Sequence, residues 1–285
     1  IDTQMNIVRD KVKCINTKYT GKGISIAFID TGICKNNDFD SRIKCFYDVV
    51  NHKNYVYDDC GHGTHVAGIC SGSGANSNGK YRGIAPESNI VMIKALDFEG
   101  KGTASDVLTG IQWIADNCKK YNIRILNMSI GAGITNTKDP LVRAAEILWD
   151  MGIVVVAAAG NNGPQKGTIS SPGISKKIIT VGSVDDINVS ENDIGKSYSG
   201  RGPTKECVIK PDVVAPGTNI ISCLCEDNKS NNYYKSLSGT SMSTPIVSGA
   251  IALLLEKAPD LKPDDIKFML KQSCHNLECS PNRQG

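Results

Sequence analysis

From Ile246 to Leu255 the chain is apolar in almost every direction: Ile246, Val247, Ala250, Ile251, Ala252, Leu253, Leu254 and Leu255. A helix apolar on all faces, yet too short to span a bilayer, belongs in the interior of a large fold. Directly before it stand Ser238-Gly239-Thr240-Ser241-Met242-Ser243-Thr244-Pro245. Those hydroxyls fall at a helix start, where the first N–H groups lack intrahelical partners and the dipole favours negative charge. Pro245 fits such a start, because its missing N–H costs little there. Two readings stand. Ser241 is a nucleophile if a base can reach it, or Thr240, Ser241 and Ser243 merely cap the helix.

A buried helix needs layers around it, and the pattern supplies them. Short apolar runs at Ile24–Ile29, Ile90–Leu96, Arg124–Gly131, Ile153–Ala159, Lys177–Gly182 and Asp212–Pro216 read as buried strands. Between them, helical spacing predicts helices over Ala104–Lys119 and Pro140–Met151, with a closing helix over Pro263–Gln272. Strands alternating with helices predict an α/β fold, a single domain with a mostly parallel central sheet and helices on both faces. No composition shift marks a boundary, so residues 1–285 read as one domain with a core over about 21–275.

Charge and length exclude some functions. A formal charge of +3, without a dense Lys/Arg block, argues against nucleic acid. No apolar run reaches membrane-spanning length, and the chain opens in polar sequence, without a signal peptide. The 11 cysteines are scattered, with no C-x-x-C pair and no His near Cys223 and Cys225. A chain of this length is unlike the small disulfide scaffolds. Most thiols therefore read as small core residues in a reducing, cytoplasmic setting. The alternative is secretion after removal of a leader and pro-segment.

The chemistry-bearing residues sit at strand ends and helix starts. Asp30-Thr31-Gly32 closes the first strand, where open α/β sheets place their ligands; Asp30 could equally cap a turn. In Asp58-Asp59-Cys60-Gly61-His62-Gly63-Thr64-His65-Val66-Ala67-Gly68, the two histidines fall one helical turn apart. A metal pair lacks a third ligand and the Glu of H-E-x-x-H. A phosphate cradle lacks its Lys and third glycine. A general base beside a packed histidine remains. If sheet topology gathers Asp30, His62 and Ser241 at one rim, they form an orienting carboxylate, a proton shuttle and a nucleophile in mutual contact.

With those three motifs in view, the chain resembles the subtilisin-like serine proteases, in order and interval, from about Gly21 to the last helix. The resemblance implies a serine endopeptidase with Asp30, His62 and Ser241 as triad, and makes His65 the packed histidine. It assigns Asn161, after Ala158-Ala159-Gly160, as oxyanion donor together with the Ser241 N–H. It implies that substrate adds as a strand between Gly100-Lys101-Gly102 and Ser129-Ile130-Gly131. Ala158, Ala159, Gly160 and Gly131 would wall a roomy nonionic pocket that prefers apolar residues before the cut. It implies protein or peptide substrates, with a pro-segment or proteinaceous inhibitor as further partners. A peptide-binding homologue without activity and a nucleotide-binding α/β protein are the competing readings.

Two departures stand out. The resemblance implies no cofactor for catalysis and leaves a structural calcium open, with Asp38 as a ligating carboxylate; the loop Ile69–Arg82 differs from the family's calcium-binding loop, which puts that site in doubt. Cys60, two residues before His62, is unusual, and a mercurial bound there would block the cleft sterically.

Overall fold

The computed structural model describes residues 2–14, 16–185, 197–225 and 232–285. Its centre is β1 (Ser25–Asp30), buried along its whole length between two parallel neighbours. With both faces covered, an unbroken run such as Ile26-Ala27-Phe28-Ile29 is what a central parallel strand requires. Beside β1 lie β3 (Asn89–Lys94) and β4 (Ile123–Met128). The sheet is completed by β2 (Ile43–Asp48) beyond β3, and by β5 (Val154–Ala158), β6 (Ile179–Ser183) and β7 (Val213–Ala215) beyond β4. All seven strands run parallel in the order β2-β3-β1-β4-β5-β6-β7.

The winding reverses about β1: the chain goes from β1 to the edge strand β2, returns as β3 on the same side, then crosses to β4 and runs out through β5, β6 and β7 on the other. Connections therefore diverge at the carboxyl end of β1, and a crevice opens there. Asp30 is the last residue of that strand.

Helices α2 (His62–Ser71) and α5 (Thr240–Lys257) pack on each other, with α5 against β4, β5 and β6. Helices α3 (Ala104–Asn117) and α4 (Pro140–Asp150) form a second pair, touching β1 and β5. Thr103 and Asp106 make a capping box on α3, and Asp139 caps α4 with Pro140 in its first turn. A short α1 (Met5–Lys11) and α6 (Pro263–Ser273) flank the core, and Trp149 Nε1 of α4 donates to Asp264 of α6 at 2.9 Å. A four-residue α7 (Pro281–Gln284) ends the described chain.

The antiparallel pair β8 (Ile220–Cys223) and β9 (Tyr234–Leu237) was not expected from sequence. Neither were α1 and β2. The β2 segment Ile-Lys-Cys-Phe-Tyr-Asp is only partly buried at the sheet edge, so it shows no apolar run.

The helix expected from Ile246 begins earlier, at Thr240. Pro245 is thus its sixth residue, and the expectation that this proline sits at a harmless start is corrected. The carbonyl four residues back, Ser241 O, loses its helical donor; Ser129 Oγ supplies one instead at 2.8 Å.

The reading of the cysteines also changes. Cys34 and Cys225 form a disulfide, and of the nine free thiols only Cys14, Cys70 and Cys223 are buried. A reducing-compartment reading built on core thiols is not supported. No helix among the described residues is long and apolar enough to cross a membrane.

Candidate active site

Asp30 is fully buried, and its Oδ1 lies 2.7 Å from His62 Nδ1 and accepts the Thr31 N–H at 2.7 Å. His62 is the first residue of α2, and its side chain keeps 27% of its surface exposed. One ring nitrogen is thus held by a carboxylate while the other end faces the cleft. Burial opposes a charge on this imidazole, but the charge and hydrogen bond of Asp30, helped by Asp58, outweigh it and raise the His62 pKa above its ordinary value; Lys235 pulls the other way.

Asp58 was quoted within the histidine motif without being given a role, and it organises the turn. Its Oδ1 accepts Thr31 Oγ1 at 2.9 Å, Gly61 N–H at 2.8 Å and Cys60 N–H at 3.2 Å. Its Oδ2 accepts the N–H and the hydroxyl of Thr64 at 2.9 and 2.6 Å. Thr31 Oγ1 in turn accepts the Gly63 N–H at 2.8 Å. One buried carboxylate therefore satisfies the orphan donors at the head of α2 and ties them to the Asp30 loop. The detectable signal was an acidic residue just before a helix start. Gly61 enters the helix at φ 88°, a conformation that suits glycine.

His65 is separated from this chemistry. It is fully buried, its Nε2 meets the carbonyls of Ile220 and Lys235 at 3.0 Å each, and burial drives its pKa down to about 3. It is the packed histidine.

Ser241 occupies the first turn of α5 and lines the same cleft as His62. Its hydroxyl does not reach the imidazole: among the described residues it donates to Ser129 O, at 2.9 Å. The expected direct Ser–His contact is therefore absent, because the Ser129 carbonyl is the acceptor within reach of this rotamer. Together with the Ser129 Oγ bond to Ser241 O, this gives a reciprocal clamp between the end of β4 and α5. The clamp continues inward: Asn127 Nδ2 donates to Ser129 Oγ at 3.0 Å and Ser248 Oγ to Asn127 Oδ1 at 2.8 Å.

Capping of α5 by its own hydroxyls is not what occurs. Ser243 Oγ donates to the carbonyls of Ala215 and Pro216, and Thr244 Oγ1 to Thr240 O. The cap comes from Asn161, whose Oδ1 accepts the Thr240 N–H and hydroxyl at 2.9 and 3.0 Å. That pins the amide so that Nδ2 points the other way. A Cβ placed on Gly239 would lie 3.2 Å from Asn161 Nδ2 and 3.7 Å from the Ser241 nitrogen. Glycine, at φ 150°, leaves that space free between two N–H donors.

The cleft, about 530 Å³, is lined by His62, Ser241, Gly100, Lys101, Gly102, Ser129, Ile130 and Gly131, as the resemblance implies. Its apolar wall is Leu96, Val107 and Leu141, residues that were read only as strand and helix core. Cys60 also lines it, with its sulfur 3.8 Å from where a Gly100 Cβ would sit. Ala158 and Ala159 do not. Both are buried, and Ala159 packs with Val142, Ile169 and Ile174. Gly160 is likewise not among the residues lining this cleft, so of the expected wall only Gly131 lines it directly. Ser170 instead faces the two glycines: its Cβ lies 3.0 Å from a Cβ built on Gly131, and its hydroxyl meets the Cβ position of Gly160. Ser170, itself buried, thus packs directly behind the two glycines.

The calcium expectation fails on Asp38. Its Oδ1 accepts the Asn76 N–H at 2.9 Å, and its Oδ2 accepts the Tyr234 hydroxyl at 2.8 Å and the Cys223 thiol at 3.4 Å. Burial and Asp38 raise the pKa of both Tyr234 and Cys223, so they stay protonated donors. Beside them the Arg42 guanidinium takes the carbonyls of Asp38, Ser71 and Ser88. A cation is already there, and no described cluster of three or more His, Cys, Asp or Glu could hold a metal. These residues do not fit a calcium ion.

The subtilase family profile matches residues 21–285. The serine protease AprX of Bacillus subtilis (strain 168) is 46% identical over 274 residues, covering 88% of this chain, which spans 61% of that relative's length. Subtilisin DY of Bacillus licheniformis is 35% identical, over 95% of this chain and 90% of its own. The crystal structure of a cold-adapted subtilisin-like serine proteinase superposes with a TM-score of 0.74 at 32% identity, covering 94% of this chain and 88% of the other. Motif order, sheet topology and these similarities agree: the chain belongs to the subtilase family.

Proposed function

We propose that this chain is a serine endopeptidase in which Ser241 attacks the peptide carbonyl, His62 carries the proton and Asp30 orients the imidazole. The observation that carries the reading is the 2.7 Å pairing of a buried carboxylate with an imidazole that lines one cleft together with Ser241. Asp30 fixes the tautomer with the proton on Nδ1, leaving Nε2 to take the Ser241 proton. The tetrahedral oxygen is held by Asn161 Nδ2 and the Ser241 N–H, both fixed before charge develops. His62 then passes the proton to the departing amine, and water repeats the sequence on the acyl-enzyme.

The Ser241–Ser129 hydrogen bond fits this cycle. A serine side chain moves between staggered wells about one torsion without moving the backbone. Substrate adding as a strand beside Ser129–Gly131 brings its own N–H groups to that edge. An N–H bound to Ser129 O displaces the Ser241 hydroxyl and frees it for His62.

The apolar lining favours apolar residues before the cut, limited in size by Ser170. Protein and peptide substrates follow, and a pro-segment or protein inhibitor laid along the same edge would block it. The Cys34–Cys225 disulfide favours an oxidising setting, hence secretion after removal of a leader and pro-segment.

The test is fluorophosphonate labelling joined to a peptide-library digest. The expected result is stoichiometric label on Ser241, and cleavage lost in Ser241→Ala. Unlabelled Ser241 and bound but uncut peptides would replace this reading with the peptide-binding one.

A further inference from the structure

We propose that Lys235 is a specificity determinant that recognises a carboxylate on the leaving-group side of the scissile bond. This rests on the protease reading above.

Lys235 lies on β9, the strand that leads directly into Gly239 and Ser241. Its cross-strand partner is Ser222, whose buried hydroxyl donates to His65 O of α2 at 2.8 Å. Directly opposed residues in a sheet share a face, so the Lys235 side chain is presented to α2. It runs to the head of that helix, with Nζ 3.7 Å from where a Gly61 Cβ would sit. Its backbone carbonyl, meanwhile, accepts from His65 Nε2.

That is an unfavourable place for a cation. The head of a helix carries partial positive charge, and a lysine there is repelled unless an anion joins it. Of the two nearby carboxylates, Asp58 uses both oxygens and Asp30 uses Oδ1, while its buried Oδ2 pairs with no group among the described residues and not with Lys235. Asp58 accepts from Thr31, Cys60, Gly61 and Thr64, and Asp30 from Thr31 and His62. Among the described residues no carboxylate forms an ion pair with Lys235. Its charge also works against the general base, lowering the pKa of His62. An ammonium held half-buried against the helix head, beside the imidazole, is a site awaiting an anion.

Its position says which part of the substrate supplies one. The acyl segment runs along Gly100–Gly102 and Ser129–Gly131, and Lys235 is not part of that cleft. It flanks His62 by way of Gly61, from the strand on the opposite approach to Ser241. The chain beyond the cut must leave past His62, because that imidazole protonates its amine. A carboxylate there has two sources: an Asp or Glu side chain, or the free end of a short peptide.

The experiment compares kcat/KM within matched peptides. One series carries Glu or Gln at the first, second or third residue after the cut, with amidated ends. A second series has free or amidated ends at the same distances. Each is run with wild type, Lys235→Met, Lys235→Arg and Lys235→Glu above the His62 titration. Using the ratio within each enzyme cancels any general loss from substitution. The wild type is expected to favour the carboxylate about two- to fivefold at low salt, the scale of a partly exposed ion pair, with the preference shrinking at high salt. Lys235→Arg keeps it, Lys235→Met abolishes it and Lys235→Glu reverses it. The series showing the preference identifies the source. A wild-type ratio of one in both series, or the same ratio in Lys235→Met, overturns the proposal while leaving the protease reading intact. Failure of the wild type to cut any peptide overturns both.

Discussion

Asn161 caps α5 from outside the helix, its Oδ1 accepting the Thr240 N–H at 2.9 Å. If Nδ2 is the oxyanion donor proposed above, the same amide has two separable duties, an acceptor for the fold and a donor for the developing charge. Asn161→Asp keeps the acceptor and removes the donor; Asn161→Ala removes both. The aspartate variant is expected to hold its Tm while kcat falls at least about 100- to 1,000-fold, the scale of one oxyanion donor. The alanine variant should lose similar activity and also about 1 kcal/mol of stability, as lost caps do. Thermal unfolding and steady-state kinetics on both variants separate the duties; an active Asn161→Asp contradicts the assignment.

As the proposed base, His62 must be neutral to act. Because Asp30 and Asp58 raise its pKa, kcat/KM should fall on acidification with a midpoint above the ordinary histidine value of 6.5. Linkage runs the opposite way. Protonated His62 stabilises the fold fully below the unfolded pKa, and that increment is lost as pH rises through the folded pKa. Asp58→Asn removes one of the two anions, so its acid midpoint should move down. A pH–rate profile of that variant with an unmoved midpoint would leave Asp58 a structural cap alone.

How much of this was visible in the chain depended on the kind of signal. Strands of the central sheet are buried on both faces, so Ile26–Ile29 and Val154–Ala158 announce themselves as apolar runs. The edge strand Ile43–Asp48 and β9 are only partly buried and carry Lys, Ser and Tyr, while β8 is largely buried but only four residues long, too short to stand out. The proposed triad positions were legible because they stand at strand ends and helix heads. Rotamers were not: no sequence pattern says that Ser241 turns to Ser129, or that Asn161 rather than Thr240 caps α5. Nor does it show that Ala159 faces the core, which depends on the turn at Gly160.

The Asp38 network replaces a metal with donors. If Asn76 N–H, Tyr234 and Cys223 saturate that carboxylate, removing divalent cations should leave the unfolding temperature unchanged. Tyr234→Phe, which strips a hydrogen bond to a buried charge, should cost about 1.5–3 kcal/mol. Calorimetry with and without a chelator checks both halves. A Tm that drops in chelator and returns with calcium would show that the network yields to an ion.

In the proposed peptidase, Ser170 sets the size of the pocket before the cut from behind Gly131 and Gly160. Because it faces Gly131 and Gly160 closely, Ser170→Gly should admit larger side chains. A pocket gaining two heavy atoms of space is worth roughly 1–3 kcal/mol of discrimination, about 10- to 200-fold. The kcat/KM ratio of Phe to Ala before the cut should therefore rise in this variant. An unchanged ratio would mean that substrate side chains do not enter between the two glycines.

The Cys34–Cys225 bond joins the loop after β1 to the end of β8 across a sequence separation of 191 residues. Its sulfurs lie against the Asp58 carbonyl at 3.6 and 3.4 Å, and Cys34 N–H donates to Thr64 Oγ1 at 3.0 Å. A loop that long is expensive to close in the unfolded chain, so the bond should contribute about 3–5 kcal/mol. Because it braces Asp58 and Thr64, which hold the head of α2, its loss should also disturb His62. Cys34→Ser/Cys225→Ser, and the wild type in reductant, should both show a lowered Tm and a reduced kcat below the unfolding transition. The variant is the sharper arm, since it leaves the nine free thiols in place. If its Tm matches the wild type in oxidising buffer, the cross-link does not brace the fold, and the case for an oxidising compartment weakens with it.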